Sequence, residues 1–160
     1  MSRPDGSGHC GPTAEHVAVL TRNRIYTVRM GLPAVLVGRL CAVVQGRPAV
    51  RALYAFGSRL DGEANPDADL DLGVLYTAPQ RLEATLRLEE VLDRASPHRV
   101  DLIDVSRARA YLALAVVRGE RLYTRDPLET DLFELYVLRR AGDLLPFERQ
   151  RRALLLSPRR

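Results

Sequence analysis

The run Ala52-Leu53-Tyr54-Ala55-Phe56 has no polar face. Side chains alternate across a strand, so an unbroken run of this kind must be covered on both sides, as in the middle of a buried sheet. Gly57-Ser58 then turns the chain. Ten residues later a second apolar run, Ala68 to Tyr76, opens with Asp69-Leu70-Asp71. At spacing two, Asp69 and Asp71 share one face, roughly 6.6 Å apart along the strand. Two like charges held side by side repel, and hard oxygen donors of this kind suit Mg²⁺.

A chain of 160 residues is long enough for one domain with a real core. Apolar content of 46% and charged content of 28% are those of an ordinary globular protein. The sequence has no apolar run of membrane-spanning length and no secretory signal pattern, so it reads as cytoplasmic with no membrane partner. Cys10 and Cys41 form neither a disulfide framework nor a metal-ligand spacing. All 24 basic residues are Arg, and charge is unevenly spread. Residues 1–51 carry seven Arg against two acids, residues 139–160 again seven against two, and the stretch between has ten against sixteen. An acidic centre with basic flanks suits a metal–nucleotide site and disfavours direct nucleic-acid binding.

Along the chain, residues 1–12 read as disordered and 13–29 as weakly helical. Met30 reads as the natural start, with 1–29 as an extension. Helix is expected over Ala34 to Val44 and strand over Val50 to Phe56. A short helix is expected over Arg59 to Glu63, a strand over Ala68 to Tyr76 and a helix from Pro79 or Gln80 to Arg94. A strand over Arg99 to Val105 carries Asp101 and Asp104 on opposite faces. Ser106 is a candidate N-cap for a helix 107–118 closed by Gly119, and Arg121 to Thr124 forms a short edge strand. Asp126-Pro127-Leu128-Glu129 starts a last helix with Leu128, Leu132, Leu135 and Tyr136 on one face, interrupted at Gly142 and Pro146. The expected architecture is α/β (α+β), a small mixed sheet of about four strands with helices largely on one face.

The chemistry gathers around the turn and the acids. Backbone N–H groups at a turn cradle phosphate oxygens, and the Ser58 hydroxyl adds a donor. A third carboxylate, Asp101, falls in the next strand. If that strand pairs beside the second, Asp101 sits about 5 Å to the side of the Asp69–Asp71 pair, with Asp104 its competitor for the role. Three converging carboxylates can hold two Mg²⁺ that clamp the attacking and leaving oxygens of a phosphoryl or nucleotidyl transfer. Arg59 stands next to the turn, either near phosphate or on the surface. His9, His16 and His98 have no ligand spacing and read as structural or solvent-facing.

Gly57-Ser58-x₁₀-Asp69-Leu70-Asp71 resembles the signature of the polymerase-β-like nucleotidyltransferase superfamily. The stretches Phe56 to Arg59, Asn65 to Leu72 and Arg99 to Asp104 are similar to its minimal nucleotidyltransferases (MNT), the antitoxins paired with HEPN ribonuclease toxins. The resemblance implies that Gly57, Ser58 and Arg59 bind the nucleotide and that Asp69, Asp71 and Asp101 are catalytic and hold two Mg²⁺. It also implies that ATP is the substrate and that AMP passes to a tyrosine of a HEPN toxin. Two alternatives are an MNT-fold antitoxin that acts by binding alone and a small-molecule (antibiotic) nucleotidyltransferase. The implied division is an extension over 1–30, a nucleotidyltransferase domain over 31–146 and a basic C-terminal tail over 147–160.

Overall fold

The computed structural model describes residues 16–21, 24–29, 31–60 and 68–156. The chain separates into two units, Met1–Met30 and Gly31–Arg160. In the first, strands β1 (His16–Thr21) and β2 (Arg24–Arg29) pair as an antiparallel hairpin. This corrects the expected weak helix. The β-branched Val17, Val19, Thr21, Ile25, Thr27 and Val28 favour a pleated backbone over a helical one.

The second unit is built on a four-stranded sheet of order β5-β4-β3-β6. Its elements in chain order are α1 (Ala34–Gln45), β3 (Val50–Phe56), β4 (Leu70–Tyr76), α2 (Leu82–Ala95), β5 (Val100–Asp104), α3 (Ala110–Arg118), β6 (Glu120–Thr124) and α4 (Pro127–Leu156). The central β3 runs antiparallel to both β4 and β6, and α2 is the crossover that makes β4 and β5 parallel. As the polarity of their runs requires, Ala52 to Ala55 of β3 and Leu72 to Tyr76 of β4 are buried throughout.

The helices cover both faces of the sheet rather than one. Tyr54 pairs with Gly73, and its hydroxyl donates to Glu134 of α4 at 2.9 Å. Tyr76 lies three residues beyond Gly73, on the opposite face, and its hydroxyl donates to Thr85 of α2 at 3.2 Å. Helix α1 lies with α2, and the Cys41 thiol, pushed up to about 11 by burial, donates to the Leu122 carbonyl of β6. On the other face Ala52, Tyr54 and Leu75 pack with Val105, Ala113, Leu114, Val116, Val137 and Ala141. A run apolar on both sides demands this two-sided cover.

Local differences from the sequence reading have local causes. Residues 58–60 form a turn, and the rest of the short helix expected over 59–63 lies outside the described residues. Ser106 sits in a single 3₁₀ turn, Val105–Arg107, where Asp104 accepts from its N–H at 3.0 Å and its hydroxyl at 2.7 Å. Helix α3 therefore starts at Ala110, not 107. Asp126 caps α4 by accepting from the Glu129 N–H at 3.2 Å, while the Glu129 side chain pairs with Arg51 instead of reaching back. Helix α4 continues past Gly142 and Pro146 to Leu156, so no break marks 146. Its buried side is Thr130, Val137 and Ala141. The expected apolar face points outward, with Leu128, Leu132 and Leu135 at 68%, 53% and 66% exposure. No helix among the described residues is long and apolar enough to cross a membrane.

The contact of β4 with α3 leaves no room for a side chain at Gly73. A Cβ there would lie 2.4 Å from Val116 Cγ1 and 3.0 Å from Val105 Cγ2, both on stiff β-branched side chains. Gly73→Ala is expected to lower unfolding stability by about 1–3 kcal/mol in urea denaturation. Adding Val116→Ala should recover part of that loss; failure to recover any would show that the overlap is not the cause.

Candidate active site

One end of the sheet collects the chemistry-bearing residues. There β3 ends at Phe56 and runs into the Gly57-Ser58 turn, Asp69 immediately precedes β4, which begins Leu70-Asp71, and β5 begins at Val100-Asp101. The β3–β4 register sets Phe56 opposite Asp71, and the parallel β4–β5 register sets Asp71 beside Asp101. Asp71 is therefore flanked by the turn on one side and a second carboxylate on the other. Asp69 and Asp101 are exposed and Asp71 is half-buried.

Gly57 has φ +81°, a left-handed conformation that disfavours side chains. A Cβ at this position would come within 2.2 Å of Asp71 Oδ2. The glycine thus serves twice, letting the chain turn and letting the backbone lie directly against a carboxylate. Ser58 follows in the exposed turn closed by the Leu60 N–H to the Gly57 carbonyl at 3.2 Å. Burial raises the Asp71 pKa above the ordinary carboxylate value, and the charges of Asp101 and then Asp69 push it further. The three acids thus interact as one cluster.

Asp104 stands at the far end of β5, where it holds Ser106 and faces Arg107 Nε at 3.6 Å. Arg59 turns its guanidinium toward the protein. Its Nε donates to the Ala68 carbonyl at 2.6 Å, and its Nη1 lies 3.3 Å from His98 Nε2.

Two carboxylates at this end were not singled out from the sequence. Glu89 of α2 is half-buried; burial raises its pKa first, then the charge of Asp101, while the Leu102 N–H lowers it. Its signal was its place beside Leu88 on the packed side of an amphipathic helix. Glu120 starts β6 opposite Ala55 and is buried, with no hydrogen-bond partner for either oxygen at normal geometry. Burial raises its pKa and the nearby Gly31 amide offsets part of that. Its burial on an edge strand gave no sign in the sequence.

Residues 39–128 match the family described as Polymerase beta, Nucleotidyltransferase. The chain belongs to this family. It is 42% identical over 53 residues to the probable protein adenylyltransferase MntA of Haemophilus influenzae, covering 32% of this chain and 46% of that protein. It is 36% identical over 72 residues to the protein adenylyltransferase MntA of Thermococcus cleftensis, covering 45% and 73%. The chain therefore spans about half the length of the first of these relatives. Its fold is similar to a chain of the solved complex of tri-AMPylated Shewanella oneidensis HEPN toxin with MNT antitoxin. The TM-score there is 0.63 at 20% identity, over 76% of this chain and 97% of that one.

The donor type at this end of the nucleotidyltransferase domain, carboxylate oxygen, is one that suits Mg²⁺. All three acids are hard oxygen donors, and their mutual repulsion is relieved by a cation. Among the described residues no group of three or more His, Cys, Asp or Glu side chains is arranged to hold a metal ion. Mg²⁺ seldom needs a protein-only cage, because it keeps waters and takes one or two carboxylates together with substrate phosphates.

The raised Asp71 pKa has a stability consequence. A carboxyl whose pKa is higher in the folded state than in the unfolded one favours folding below the unfolded value, and this contribution is lost as pH rises through the folded value. The metal-free wild type should therefore lose stability relative to Asp71→Asn as pH rises from about 3.8 toward neutrality. Paired thermal melts across that range test this; a difference that stays constant with pH would remove the electrostatic account.

Proposed function

We propose that the chain is a Mg²⁺-dependent protein adenylyltransferase. It moves AMP from ATP to a tyrosine hydroxyl of a partner HEPN ribonuclease toxin and so acts as its antitoxin. One observation carries the reading: the parallel register sets Asp71 beside Asp101 at one sheet end, with Asp69 just before β4 and the Gly57 backbone against Asp71. Membership of a nucleotidyltransferase family supports the transfer. The names of the two relatives and the AMPylated toxin in the structural neighbour support a protein acceptor over an antibiotic. The outward leucines of α4 also suit a protein partner.

In this mechanism the Gly57 backbone and the Ser58 hydroxyl hold the triphosphate. Asp69, Asp71 and Asp101 hold two Mg²⁺, which when bound neutralise phosphate charge and make the acceptor hydroxyl more acidic. The acceptor oxygen bonds to the α-phosphorus as the bond to the bridging oxygen breaks, and pyrophosphate leaves. Asp101, on an exposed edge strand, stands where an acceptor can approach and receives the hydroxyl proton. The half-burial of Asp71 strengthens its electrostatic interactions relative to open water.

Incubating the chain with its partner toxin, Mg²⁺ and ATP should add the mass of AMP to the toxin, on a tyrosine. The Asp69→Asn/Asp71→Asn double variant should keep its circular dichroism spectrum and lose at least about 10²-fold in transfer rate. Undiminished AMP transfer by that variant would end the assignment. Loss of transfer with full protection of cells from the toxin would favour antitoxin action by binding alone.

A further inference from the structure

The three chemistry-bearing segments are far apart in sequence, yet one side chain touches the base of each. Arg59 immediately follows Ser58. Its Nε donates to the carbonyl of Ala68, the residue before Asp69, at 2.6 Å. Its Nη1 lies 3.3 Å from Nε2 of His98, three residues before Asp101. Guanidinium can only donate, so in this contact Nε2 is the acceptor. His98 is itself held, since its N–H donates to Ser96 Oγ at 3.0 Å. The same corner is tied by backbone and cap bonds, with the Leu70 N–H on the Arg99 carbonyl at 2.7 Å and the Val100 N–H on Asp93 Oδ1 at 2.8 Å.

We infer that Arg59 and His98 form a clasp that pre-positions the Gly57-Ser58 turn against the Asp69, Asp71 and Asp101 carboxylates, with His98 a positioning residue for Mg·ATP binding. The turn is exposed and short, and a Gly-Ser pair has much conformational freedom of its own. Without the clasp the turn must be ordered when nucleotide arrives, so apparent affinity falls by the fraction of time the turn is already in place. Once nucleotide is bound the geometry is recovered, so the effect falls on binding and not on the rate at saturation. The planar fork of Arg reaches two acceptors in different directions at once, which a Lys ammonium on a flexible stem does poorly. This role rests on the proposed use of ATP and adds a residue outside the sequence signature.

Isothermal titration of the full chain with Mg·ATP tests the clasp without needing the acceptor. His98→Ala should weaken binding about tenfold, the scale of one hydrogen bond to a charged group. His98→Gln, which keeps an acceptor, should restore most of the affinity, and Arg59→Lys should lose affinity as His98→Ala does. The thermal midpoint of His98→Ala should stay near that of wild type, and its AMP-transfer rate at saturating ATP should stay within about twofold. Wild-type affinity in His98→Ala would overturn the clasp, as would a His98→Gln variant no better than His98→Ala. A wild-type chain that binds Mg·ATP tightly but adenylylates no partner would sink the proposed function and leave the clasp standing. A wild-type chain that binds no Mg·ATP would overturn both.

Discussion

The antiparallel register of β3 on β4 sets Tyr54 opposite Gly73 and Phe56 opposite Asp71, and most of the second unit follows from it. Side chains alternate across the sheet, so a slip of one residue would exchange every inward and outward position of β4. Asp71 would then point toward the face covered by α1 and α2, where Leu70, Leu72 and Val74 now lie buried. A carboxylate there would have no polar partner, and burying an unpaired charge is among the most costly errors a fold can contain. Gly73 helps hold the register, because only a glycine lets Val105 and Val116 approach the strand this closely. The hydrophobic core and the acidic site therefore depend on one pairing.

The face carrying α3 and α4 also contains a polar network within apolar packing. Tyr54, fully buried, donates to Glu134, and Arg121 bonds both Asp131 and Glu134 at 2.6 and 3.2 Å. Burial, then the Glu134 charge, pushes the Tyr54 pKa far up, so the phenol remains a donor. Directional bonds of this kind select one seating for α4 where leucine packing alone would allow several. With that seating, Val137 and Ala141 turn inward while Leu128, Leu132 and Leu135 turn to solvent. The outward apolar face of α4 thus follows from hydrogen bonds beneath it.

At the acidic end the balance is electrostatic. Burial, then the charges of Asp101 and Asp69, raise the proton affinity of Asp71, so its ionised form costs stability. Strain of this kind needs rigid support, and the support comes from segments remote in sequence: the turn after β3, the start of β4 and the loop before β5. Arg59 and His98 join these segments. Mechanical order at the base of the site and charge at its mouth are separate devices, carried by different residues.

The sequence by itself determined most elements of the second unit and the family. Ala52 to Phe56 demanded a covered strand, and the Gly-Ser turn at its distance from the acids pointed to the nucleotidyltransferase family. Those readings are legible because strand alternation and turn stereochemistry act over a few residues. The reading failed where distant partners decide. The pairing of 16–21 with 24–29 reads weakly because a strand is stabilised across to its neighbour, not along itself. The outward face of α4 was hidden because periodicity shows an apolar stripe but not what lies under it. Only the tertiary structure decided that Asp101, not Asp104, stands beside Asp71, since that depends on which end of β5 meets the start of β4. Only it brought Arg59 to His98 and left Glu89 and Glu120 near the acidic end, because contacts across 39 residues follow from the path of the chain and not from local preference.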